Sequence, residues 1–245
     1  MKKVRHVAHR REIESETQLL KKIAAWTFQA KFTFLLILLN LIMFFWSRIW
    51  SPELINSLTF TPASLSSFNV MPMIASWFLH ANLTHLIGNL LFLLVFGRVV
   101  ERRFGALKTA LIYFGAAVCS DIIAGLVFQQ GGIGASGAIS GLIAAAMIID
   151  PFYLNYIIFG LPLPIVVIGW IAIFSDIMGV LQPVSDNIGH IAHLAGFFAI
   201  TLFVFILNKD DKKIKIGFFI NILTILAAIL INSMFPNFKI KGLIQ

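Results

Sequence analysis

Gly131-Gly132-Ile133-Gly134-Ala135-Ser136-Gly137 runs into Ala138-Ile139-Ser140-Gly141 and on to Ile149, with no charged residue before Asp150. From Ser136 to Ile149 is fourteen residues, which at ~1.5 Å each cover about 21 Å of a hydrocarbon core ~30 Å thick. The shortfall predicts a membrane helix that starts below the surface, with the glycines descending to it. Irregular backbone at that depth is tolerated only where it is buried in protein or lines a water-filled cavity. Ser136 is therefore expected in a sunken, hydrated pocket. It also begins a helix, whose free N–H groups and positive dipole end suit a developing oxyanion. A plainer reading stands beside this one: Ser136 as an N-cap, with Gly137, Gly141 and the alanines serving helix packing.

The composition agrees that the solvent is lipid. Of 245 residues, 59% are hydrophobic and 12% charged, and mean hydropathy is +0.90. A soluble domain of this length could not hide so much apolar surface. Spans of about 20 apolar residues mark seven candidate helices, near Phe32–Trp50, His85–Val100, Thr109–Phe128, Ser136–Ile149, Ile165–Leu181, His190–Leu207 and Ile216–Phe235.

Lys and Arg concentrate in cytoplasmic loops. Eight lie between Lys2 and Lys31, Arg98, Arg102, Arg103 and Lys108 surround the second-to-third connection, and Lys209, Lys212, Lys213 and Lys215 fill the sixth-to-seventh. Arg48 at the end of span one, and Lys239 and Lys241 on the tail, depart mildly from the pattern. The N-terminus is accordingly expected in the cytoplasm, and spans two, four and six are expected to start on the outer side. The net charge of +8 follows from this bias plus attraction to anionic lipid, and calls for no nucleic-acid partner.

The single Cys119 excludes an internal disulfide framework and a multi-cysteine metal site. No cleavable signal peptide is expected. Residues 1–31 read as a basic cytoplasmic segment, either a surface helix or a basic tail. Residues 32–207 read as one six-span core, and 208–245 as a cytoplasmic loop, a seventh span and a short tail. Ser51–Ala75 is broken by prolines and too apolar for free solution, so it is expected to lie partly in the outer leaflet.

Two further polar clusters mark the mouths of spans two and six. His190 and His193 lie one turn apart, and a serine needs such a base to become a nucleophile. Ionisable residues within a span are costly and usually mark function, although paired interfacial histidines also occur as polar contacts. His85 and Asn89 share a face and could both point at a carbonyl oxygen, or Asn89 could bond to backbone. No carboxylate is obviously placed to orient the base, with Asp186 in a loop and Asp121 and Asp176 on other spans, so a Ser-His dyad is favoured over a triad. A zinc site from His80, His85, His190 and His193 has neither an HExxH pattern nor a nearby acidic ligand to support it. Gly97 to Gly105 reads as positive-inside anchoring plus a local Glu101–Arg pair.

Taken together, the residues from about Pro62 to Phe197 resemble the rhomboid intramembrane serine proteases. The resemblance rests on Trp77-Phe78-Leu79-His80-Ala81, His85 through Asn89, Gly97 to Gly105, Gly134-Ala135-Ser136-Gly137 and Ala192-His193-Leu194-Ala195-Gly196. It implies an all-α polytopic membrane protein with a six-helix core, followed here by a C-terminal seventh transmembrane helix. It implies that Ser136 attacks and His193 is the general base. His85, Asn89 and the Ser136 backbone N–H would form the oxyanion hole, with Gly134 and Gly137 flanking it in the substrate-binding set. Neither cofactor nor metal is implied, and the substrates would be single-span helices entering sideways from lipid.

Three positions depart from the family pattern. Ser140 stands where members often carry an aromatic that packs on the histidine, Ile200 stands where a glycine often lets spans four and six touch, and the first loop lacks a Trp-Arg pair. None removes a catalytic group. The rival readings are a proteolytically inactive rhomboid-like protein that binds membrane helices, and a solute or proton transporter using Asp121 and Asp176. The absence of an organelle-targeting pattern favours the plasma membrane of a prokaryote.

Overall fold

The computed structural model describes residues 29–155, 161–182, 188–208 and 210–234. Most of the basic N-terminal segment, Asp186, Lys209 and the tail cations Lys239 and Lys241 lie outside the described residues. The molecule is an all-α, multi-pass membrane protein. Its first helix, α1 (Lys31–Ser47), is patterned the opposite way from a soluble helix. It buries Thr33, Asn40 and Ser47 against the bundle, while Leu38, Phe45 and Trp46 are about half or more exposed. Lipid tails are as apolar as leucine, so polar and small groups go to the helix interfaces and the large aliphatic and aromatic groups face out.

Three short helices then cross the first loop: α2 (Pro52–Ser57), α3 (Pro62–Ser66) and α4 (Val70–Ser76). The prolines that prevent a span here start helices instead. Pro52 and Pro62 each sit in a first turn behind Ser51 and Thr61, the Ser51 hydroxyl accepting from the Leu54 N–H and Thr61 closing a capping box with Ser64. Phe68, Val70 and Met71 are exposed.

The second and third spans lie within Leu83–Val127, as helices that meet at Gly105. This stretch comprises α5 (Leu83–Phe92), a wide turn at Leu93–Gly97, α6 (Arg98–Ile122) and a second wide turn at Ile123–Val127. Gly105, at φ +78° and ψ 169°, breaks α6 where the chain reverses. Glu101 has a different task from the local Arg pairing expected of it. It is buried, and its two carboxylate oxygens accept from the backbone N–H groups of Phe32 and Thr33 and from the Thr33 hydroxyl, all within 2.9 Å. A carboxylate from α6 thus caps the positive end of α1. Glu101→Ala would strand these donors at a cost of about 1–3 kcal/mol, so a lowered melting midpoint in detergent is expected, with Glu101→Gln intermediate. Equal midpoints for wild type and Glu101→Ala would refute the capping role.

The central helix, α7 (Ser136–Ile149), is buried on every side from Ala138 onward, as expected of a helix apolar all round. Around it pack α6, α8 (Ile165–Leu181), α9 (His190–Leu207) and α10 (Lys212–Met234). A two-residue antiparallel pairing, β1 (Leu154–Asn155) with β2 (Leu163–Pro164), precedes α8. Apolar length fixed the bounds of α7, α8 and α9 residue for residue.

Ile200 does not hold α7 and α9 apart. Its Cγ1 lies 2.8 Å from where a Gly141 Cβ would stand, so the glycine on one helix accommodates the isoleucine on the other. The seventh span is docked rather than peripheral. Gly217 lets α10 approach the Ile148 backbone, and the buried Asn221 amide donates to the Thr201 hydroxyl (3.1 Å) and the Ala144 carbonyl (3.4 Å). Asn221→Leu is expected to destabilise by about 1–3 kcal/mol, which a melting shift would register.

Candidate functional site

Ser136 is the first residue of α7, but it is not the cap. Ala135 occupies the cap position without a side-chain bond. The N–H groups of the first helical turn have no intrahelical acceptors, and the Ser136 hydroxyl makes no hydrogen bond among the described residues. Ser140, the other hydroxyl of α7, is buried and donates back to the Ser136 carbonyl oxygen at 3.0 Å.

The descent to Ser136 is stitched to the first loop. The Gly132 N–H donates to the Phe60 carbonyl (3.0 Å) and the Gly134 N–H to the Ser76 carbonyl (2.8 Å). Gly134 has φ +124°, and a Cβ there would lie 2.8 Å from the His85 ring and 3.8 Å from Ser136 Oγ. The glycine is thus required by its backbone angle and by the imidazole beside it.

That imidazole is set by the local sequence. Asn82 caps α5 by accepting from the His85 N–H at 2.8 Å, fixing His85 in the first turn. Asn89, one turn further, is buried, and its amide donates to the His85 carbonyl at 2.9 Å. Its carboxamide therefore bonds to its own helix in this structure.

His193 reaches the same place through tight backbone packing. A Cβ on Gly196 would collide with the Gly137 carbonyl oxygen and lie 2.7 Å from Ser120 Oγ of α6; one on Gly137 would lie 2.7 Å from the same hydroxyl. Ser136 precedes one of these glycines and His193 stands one turn before the other, so both lie at the level where α6, α7 and α9 meet. His85, His193 and Ser136 thus come together from three helices.

Both carboxylates considered for transport already have partners. Asp121 accepts from the Trp77 indole N–H at 2.7 Å. Asp176, on another span and not obviously placed by the sequence to orient the base, has its Oδ1 2.8 Å from Nδ1 of both His190 and His193. Spacing along the chain does not say which faces of separate spans meet, and this pairing could not be read from it. The available signal was Gly179, one turn past Asp176, whose missing side chain makes room for the His190 ring. Asp176, His190 and His193 are also the group among the described residues whose donor atoms cluster closely enough, within 4.8 Å, to hold a metal ion. The zinc set weighed from sequence combined His80 and His85 with the later pair; the cluster found here contains neither.

His80 lies just outside α5. The Arg48 guanidinium donates to the His80 and Ala81 carbonyls at 3.0 and 3.3 Å and stacks 4.2 Å from the Phe44 ring, which accounts for a cation at that end of α1. The His80 ring is buried 5.0 Å from the His85 ring, with Nδ1 3.3 Å from the Phe78 carbonyl. Burial, reinforced by His85, pulls its pKa down to about 4. His80 is therefore neutral when folded but protonatable when unfolded below its ordinary value of 6.5. Its contribution to stability is complete above pH ~6.5 and is lost as pH falls towards ~4. The melting midpoint should drop across that window, and His80→Asn should flatten the drop; an unchanged slope in the variant would disprove the linkage.

A polytopic membrane protein with a serine, two histidines and a tight glycine loop gathered at three helix mouths is the class that fold and site define. The Rhomboid domain profile matches residues 67–210, more than half of the chain, and the chain belongs to the rhomboid family. It is 25% identical over 187 residues to the rhomboid protease GlpG of Haemophilus influenzae, covering 76% of this chain and 95% of that one. It is 30% identical over 129 residues to the mitochondrial RHOMBOID-like protein 6 of Arabidopsis thaliana, covering 52% of this chain and 41% of the relative. The chloroplastic Rhomboid-like protein 11 of the same plant is 29% identical over 150 residues, covering 56% and 52% respectively. The chain thus spans about half the length of the plant relatives it matches.

Proposed function

We propose that this chain is a serine endopeptidase that cleaves transmembrane segments of other proteins within the bilayer. The observation that carries the reading is the convergence of His85 and His193 on a glycine-flanked serine whose hydroxyl makes no hydrogen bond among the described residues. Ser136 Oγ attacks the peptide carbonyl carbon while its proton passes to His193, which then gives it to the leaving amine. Water next attacks the Ser136 ester, giving its proton to His193, which returns it to Ser136 Oγ as the acid product leaves. The oxyanion is received by the Ser136 N–H with His85 and Asn89, Asn89 turning from its own helix when substrate arrives. Gly134 and Gly137 leave the substrate backbone room on either side of the serine. The charge pattern supports an N-terminus in the cytoplasm and a site opening to the extracytoplasmic side of a cell membrane. Against the transporter reading, both intramembrane carboxylates are already engaged by protein groups.

Purified protein in lipid vesicles, given a tagged single-span substrate and a fluorophosphonate, should release two products. The fluorophosphonate should both block cleavage and label Ser136, as mass spectrometry would show. Absence of cleavage on several substrates together with absence of labelling would discard the protease in favour of the inactive helix-binding relative.

A further inference from the structure

Asp176 is buried, and one of its oxygens receives two imidazoles. A carboxylate can only accept, so both histidines must present Nδ1–H to it. For His193 this leaves the lone pair on Nε2, which has no hydrogen-bond partner among the described residues. His190 holds the same oxygen from one turn away and packs into the notch of Gly179, so the carboxylate has little freedom to swing off. From α7, position 140 offers His193 no aromatic face: the Ser140 hydroxyl is bonded to the Ser136 carbonyl. The ionisable groups facing His193 are Asp176 from α8, His190 on its own helix and His85 from α5.

We propose that Asp176 is a positioning residue that fixes the tautomer and direction of His193, making the reacting unit Ser136–His193–Asp176 with His190 as its brace. The proposal rests on the protease reading above. As Ser136 Oγ bonds to the carbonyl carbon, its proton moves to His193 Nε2, and the imidazolium so formed lies against the Asp176 carboxylate. Asp176 keeps its charge and takes no proton; when the C–N bond breaks, the proton leaves from Nε2 to the amine. An amide in its place would offer N–H to His193 Nδ1 as readily as oxygen, admitting the wrong tautomer.

The test is turnover of the single-span substrate in vesicles, beside the rate of fluorophosphonate labelling of Ser136 per folded molecule. Asp176→Asn should lower kcat by about 10⁴-fold, in line with triad aspartates elsewhere, with KM within about twofold. Asp176→Glu should recover at least tenfold over the amide, while His190→Gln should cost only about tenfold. Labelling should slow in parallel, and it reads the effect in whatever fraction of the Asn variant folds. Retention of kcat within threefold by Asp176→Asn, or a loss confined to KM, would overturn the proposal while leaving the protease intact. Activity abolished by EDTA and restored by Zn²⁺ would also overturn it, by making the cluster a metal site. A wild type that neither cleaves nor labels would remove the reading on which it stands.

Discussion

Ser136→Ala is expected to abolish cleavage of a single-span substrate, a loss of about 10⁴-fold or more in kcat, because removing the proposed nucleophile leaves only binding and oxyanion stabilisation. Ser140→Ala should stay within about threefold. The two hydroxyls are one turn apart on α7, yet only Ser140 is spent: it is buried and donates to the Ser136 carbonyl at 3.0 Å. Its loss removes a bond within one helix, typically worth about 1 kcal/mol or less. The discriminating result is the pair measured side by side in vesicles. Were Ser136→Ala to cleave like wild type, the nucleophile assignment would fail outright.

The second large effect concerns Gly196. A side chain there meets the Gly137 carbonyl oxygen, which is backbone and cannot rotate away, and the Ser120 hydroxyl. Gly196→Val must therefore push α9 from α7. Ser136 and His193 ride on those two helices, within one turn of the contact, so their separation grows with the helix gap. A displacement of about 1 Å can cost 10²-fold in rate. Gly196→Val is expected to lose at least that much, with a lowered melting midpoint, and Gly196→Ala to fall between it and wild type. The same rate and midpoint for the valine variant as for wild type would show that the helices do not meet there.

Much of the fold was legible because lipid imposes simple rules. Apolar length gave α7, α8 and α9 to the residue, and glycines and prolines gave the breaks. The relation between helices was less legible. Glu101 reads locally as a partner for adjacent arginines, yet its carboxylate caps a helix 68 residues away in sequence. Asp176 reads as an intramembrane carboxylate that a transporter would use, yet it holds both histidines of α9. Ile200 reads as an obstacle until Gly141 is seen opposite it. In each case the missing information was which face of one span turns towards another. That is decided by close packing of small residues, which composition and periodicity along a single chain do not encode.

The first loop bears on the setting of the site. Its exposed Phe68, Val70 and Met71 are surfaces that water disfavours, while its Phe60 and Ser76 carbonyls hold the very backbone that delivers Ser136. A segment whose exposed side chains favour lipid over water is thus tied by two short tethers to the serine turn. Acyl-chain length and headgroup packing would then act as a tuning screw on the depth and tilt of Gly134. The same polypeptide would work at different rates in membranes of different thickness, with no ligand and no covalent change.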